Sequence, residues 1–146
     1  MILDKQLVLS DAQAVTSTAN STNVIDLASI TDISRGEPLR FRVQVDTAFT
    51  DTSSDATLTI ALVCSADTSL GTPTTLYTTG AVAFASMSAA GTILVDVVIP
   101  RTSLRYLGVI YTVASGPFTA GNLTAAVLLD TETPVAARSS NFNTGF

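Results

Sequence analysis

The stretch "PLRFRVQVDT", residues 38–47, decides how the rest of the chain is read. Leu39, Phe41, Val43 and Val45 recur at every second position, and Arg40, Arg42, Gln44 and Asp46 fill the places between. Extended backbone turns successive side chains to opposite faces, so this spacing predicts a strand with one apolar and one polar side. The alternation returns along the chain. "TILVDVVI" groups Ile93, Val95, Val97 and Ile99; "RYLGVIYTV" groups Leu107, Val109, Tyr111 and Val113; "NLTAAVLLD" groups Leu123, Ala125, Val127 and Leu129. Turn-forming clusters separate the runs: "SRGEP", "TDTSSD", "SLGTP", "SAAG" and "SGPFTAGN". No long stretch keeps a helical apolar period, and "SMSAAG" has room for one helical turn. About eight short strands joined this way predict an all-β chain, an antiparallel β-sandwich of jelly-roll type.

Some strands are apolar on both faces. Ala61 and Val63 oppose Leu58, Ile60 and Leu62, while Ala126 and Leu128 oppose Leu123 and Val127. One face fills a sandwich, and the other needs a cover: a loop, a second copy or a partner surface. Residues 24–132 carry this pattern and form the expected domain. Residues 1–23, ending in "TSTANSTN", read as an extended arm that packs on a neighbour through Leu7 and Leu9; residues 133–146 read as a tail.

The 146 residues carry a net charge of −5, with 13% charged residues against a usual value of about 25%. Hydroxyls fill the deficit, as 23 Thr and 15 Ser. One Lys and six Arg do not make the clustered basic patch that nucleic acid requires. The opening "MILDKQLVLSD" lacks a long apolar core, so no secretory signal is expected. The apolar window 81–100 is interrupted by Gly91, Asp96 and Pro100; an aspartate inside a spanning helix costs about 2.5–3.5 kcal/mol, so no membrane partner is expected.

Chemistry is scarce. Without histidine there is neither Ser–His nor Cys–His nucleophile activation nor imidazole-ligated zinc. Cys64, the sole cysteine, shares the face of Leu58, Ile60 and Leu62 and reads as a buried, inert thiol. Asp46, Asp51 and Asp55 offer oxygens of the kind calcium takes, but their spacing matches no metal loop and fits an exposed connection better. "NST" at 20–22 and "NLT" at 122–124 match the glycosylation acceptor pattern, which lacks meaning without secretion. No glycine cluster has a phosphate-binding context. The residues predict no cofactor, no metal and no catalysis.

The order of segments carries a resemblance. "MILDKQLVLSDAQAVTSTANSTNVIDL", "RGEPLRFRVQVDTAFT", "ATLTIALVCSAD" and "PRTSLRYLGVIYTVASGPFTAG" resemble, in that order, the jelly-roll cement (decoration) proteins of tailed bacteriophages, of the Bordetella-phage type. The resemblance runs from residue 1 to about 130. It implies a structural virion protein on the outer capsid surface, which binds across neighbouring major capsid protein subunits and sits there as a homodimer. An acidic chain suits that outer surface, since packaged DNA would favour basic groups on the inner one. A carbohydrate- or receptor-binding module is the rival reading for a jelly roll, and the absence of Trp argues against it.

Five of the six arginines fall into two sets, Arg35, Arg40 and Arg42, and Arg101 and Arg105. Cross-strand pairing with Asp46, Asp96 or Asp130 would be worth about 0.2–1 kcal/mol each. The sharper expectation is that a guanidinium fork from each set grips carboxylates of the capsid partner, with Tyr106 as an aromatic anchor beside Arg105.

Overall fold

Residues 38–47 fold as their alternation predicts: Phe41, Val43 and Val45 are fully buried, while Arg40, Arg42 and Gln44 are half-exposed. The computed structural model describes residues 4–28 and 38–129. Arg35, Asp130 and the tail from 133 lie outside the described residues. Nine strands run through the described part: β1 Val8–Ala14, β2 Ala19–Asn20, β3 Ile25–Asp26, β4 Arg40–Thr50, β5 Thr57–Ser65, β6 Thr74–Ala83, β7 Ile93–Val98, β8 Tyr106–Ala114 and β9 Ala120–Leu128. Two 3₁₀ turns, Lys5–Leu7 and Phe84–Met87, supply its only helical backbone.

The strands form two antiparallel sheets. One has the order β1-β9-β4-β7; the other has the order β2-β8-β5-β6, with β3 also paired to β8. Taking β2 and β3 as one interrupted strand leaves eight, four to a sheet, the arrangement of a jelly roll. The core lies between the sheets, with Phe41, Val43, Leu123 and Ala125 facing Leu58, Ile60, Leu107 and Val109. The window 81–100 divides into the end of β6, the second 3₁₀ turn and β7, and no helix of the described residues is long and apolar enough to cross a membrane.

Two glycine-linked contacts show how closely the layers fit. In β4 the register slips between Val45 and Thr50, which brings Phe49 inward. Its ring meets Phe118 edge-on at 4.9 Å and lies over Gly121, where a Cβ would stand 2.4 Å from the ring. Gly121 also has φ +146°, a conformation other residues avoid. On the outer face of the five-stranded sheet, Leu70 seats against Gly108. Its loop is held by the Asp67 carboxylate, which accepts from the Ser69 hydroxyl and the Gly71 N–H. Asn20 Nδ2 on β2 ties it down by donating to the Ser69 carbonyl at 3.1 Å.

The N-terminal segment is extended, as expected, but it is no detached arm. Val8–Ala14 pairs with β9 at the edge of the four-stranded sheet. Leu9 and Val15 are fully buried in the common core, and Ala19–Asn20 pairs with β8. The expected boundary at residue 23 therefore falls inside the domain. The reason is energetic. Burying a leucine contributes about 1.5–3 kcal/mol, and a strand slot beside β9 satisfies the backbone at the same time. Leu7 rests partly buried against the same core. Leu9 cannot face a partner.

Candidate interaction surface

The arginines lie on two surfaces of the sandwich. Arg40 and Arg42 stand on the outer face of the four-stranded sheet because β4 turns its even-numbered residues outward there. Arg101 precedes β8, Arg105 abuts its first residue, and Tyr106 begins it.

Arg40 is paired. Its Nε donates to Asp96 Oδ1 at 2.7 Å, and an Nη donates to the Asp96 carbonyl at 3.1 Å. Asp96 was among the expected partners. Asp46 was another, but its carboxylate instead accepts from the Thr124 hydroxyl. Arg105 is also filled, by a residue the sequence did not suggest: Nε and an Nη donate to both oxygens of Asp26 at 2.8 Å each. The fork holds the Asp26 carboxyl down at about 2, aided by the Ala28 N–H, while the carboxylate raises Arg105 further. Arg105 also stacks over the Tyr106 ring at 5.0 Å, so this pair forms a closed unit with Asp26. Asp26 was missed because β3 is two residues long and has no alternation to announce it.

Arg42 differs. Across the β4–β7 register it faces Asp96, whose carboxylate is already engaged by Arg40. Its Nε is enclosed and has no hydrogen-bond partner among the described residues. An enclosed donor without an acceptor costs about 1–3 kcal/mol, and more when charged. Arg42 lines a groove of about 150 Å³ with Asp11, Gln44, Asp46 and Thr124, floored by Ala126 and Leu128. Thr124 braces one end, since its hydroxyl also accepts from the Ala12 N–H at 3.0 Å. The backbone bulge at Ala12, φ 45°, directs that N–H onto Thr124. Val8 packs beside Ala126 and Leu128 on the outer face of the same sheet. The groove was not legible in the sequence, because its wall comes from the segment read as an arm.

The remaining candidates have local roles. The Asp51 carboxylate accepts from the N–H groups of Ala56, Ser53 and Asp55, which lowers its pKa and shapes the β4–β5 loop. Among the described residues no three acidic or sulfur side chains gather as a metal site. Cys64 is buried, with its Sγ 3.7 Å from the Ser103 hydroxyl. The Ser10 and Tyr111 hydroxyls meet at 2.8 Å in the core; burial pushes the Tyr111 group well above its usual range, and the Ser10 bond opposes that shift.

A comparison with the curated proteins finds no match. The sequence model of the Bbp16 family matches residues 9–127, a span that begins at the first inward residue of β1 and ends one residue short of the end of β9. The match covers the whole sandwich, and the chain therefore belongs to the Bbp16 family, a Bordetella phage-associated family.

Proposed function

We propose that this chain is a structural protein of a phage particle that binds the outer capsid surface and cements neighbouring major capsid protein subunits. Family membership across the sandwich carries this reading. The fold supports it: rigid sheets offer broad surface, and a groove of about 150 Å³ has room for a side chain rather than an extended sugar. The net charge of −5 suits a surface turned away from packaged DNA.

The test is decoration. Purified chain is added to shells of the phage that encodes it, assembled without this protein, and bound copies are measured by sedimentation and electron microscopy. Saturable binding at fixed lattice positions, with a rise in the shell's melting temperature, is the expected result. Binding without any gain in shell stability would limit the role to decoration. Saturable binding on a glycan array, with none on shells, would favour the carbohydrate- or receptor-binding module.

The chain is also proposed to act as a homodimer, on grounds other than doubly apolar strands. Leu70 covers the Gly108 side of one sheet, and Val8 packs beside Ala126 and Leu128 on the other. Exposed apolar area remains on β7, an edge strand, where Ile93 and Val98 are 47% and 49% exposed. An open edge with apolar flanks is a pairing template.

A further inference from the structure

We infer that the groove on the outer face of the four-stranded sheet is a docking site for one projecting acidic side chain, Asp or Glu, on an extended segment of a partner protein, with Arg42 receiving its carboxylate. The inference rests on the capsid-binding reading for the partner's identity, and it names the chemistry by which that partner is held.

Three observations carry it. Arg42 Nε is enclosed at the groove with no acceptor among the described residues, while the carboxylates on either side of it along this face, Asp96 and Asp46, are bonded to Arg40 and Thr124. A charge-assisted bond from an incoming carboxylate is the contact the guanidinium lacks. The volume, about 150 Å³, admits a group of benzene size, and Ala126 and Leu128 provide a floor for side-chain methylenes. The groove is also dipolar. Arg42 lies toward one end and Asp11 and Asp46 toward the other, so a carboxylate is favoured at the Arg42 end alone. Four residues separate Arg42 from Asp46, about 13 Å along a strand, so an extended segment with an acid at one position and a base four residues away satisfies both ends.

A two-fold contact centred on the groove would set two concavities against each other and leave both unfilled. The occupant must project.

Shells of the encoding phage, lacking this protein, are titrated with wild type, Arg42→Met, Arg42→Lys and, as a control on the same strand, Arg40→Met. Arg42→Met should lose at least tenfold in affinity with no fall in melting temperature, Arg42→Lys should lose less, and Arg40→Met should change affinity less than threefold. In parallel, Gln44 is replaced by the photo-crosslinker benzoylphenylalanine and the linked peptide is read by mass spectrometry. A capsid peptide with Asp or Glu within two residues of the link supports the site. Wild-type affinity for Arg42→Met, or a link to a second copy or to this chain's own residues 130–146, overturns the groove while leaving capsid binding intact. If wild type itself does not bind shells, the capsid reading fails and the groove assignment falls with it.

Discussion

The hydrogen bond between Ser10 and Tyr111 joins the two sheets through the core, and its two ends are unequal. Ser10 also donates to Gln13 Oε1 at 2.7 Å, whereas the Tyr111 hydroxyl has Ser10 alone among the described residues. Tyr111→Phe should therefore cost about 0.5–1.5 kcal/mol, while Ser10→Ala strands a buried hydroxyl and should cost about 1–3 kcal/mol. Urea unfolding of both variants checks the order; equal losses would refute it. Gly121→Ala should cost about 1–3 kcal/mol, since it drives a Cβ into the Phe49 ring at a φ that disfavours alanine. Asp26 sets an acid dependence. Its folded value is about 2 against an ordinary 3.8, so its contribution is complete above 3.8 and is lost as pH falls toward 2. Asp26→Asn should flatten the fall in stability across that window, measured by denaturation at a series of pH values. These residues were only partly legible in sequence: Tyr111 was assigned inward by alternation, but nothing local to it names Ser10, a hundred residues away.

At the scale of elements, β1 changes how the N-terminus is understood. A segment of short alternation followed by Ser, Thr and Asn looks unable to repay its ordering entropy of roughly 1–2 kcal/mol per residue. It repays that entropy by pairing with β9 and burying Leu9. Leu9→Ala should cost about 2–5 kcal/mol. Deleting residues 2–10 should leave the four-stranded sheet open and abolish cooperative unfolding, followed by near-ultraviolet dichroism; an unaltered melting curve would return β1 to the status of an arm. Strands with long alternation, β4 and β8 above all, were legible, because a buried face imposes period two wherever the backbone is extended. The two-residue strands β2 and β3 were not, since no period exists in two residues; β8 recruits them.

For the whole molecule, exposed Ile93 and Val98 on the β7 edge predict self-association. Light scattering at micromolar concentration should give twice the chain mass for wild type and a single chain mass for Val98→Lys, which sets a charge on that edge; equal masses for both would remove β7 from the interface. Local period and residue type alone determined the all-β class, the absence of histidine, and the inward sets of β4, β5, β8 and β9, except that Leu129, just past β9, is 63% exposed; the order of segments carried the phage resemblance. Tertiary structure decided which arginines are free to act. Two carboxylates remote in sequence, Asp96 for Arg40 and Asp26 for Arg105, occupy their forks, and Arg42, with equal polarity and an adjoining place in the strand, is left lining a groove. That choice depends on strand order and register, which bring residues 26, 96 and 124 beside their partners across loops whose lengths carry no record of the pairing.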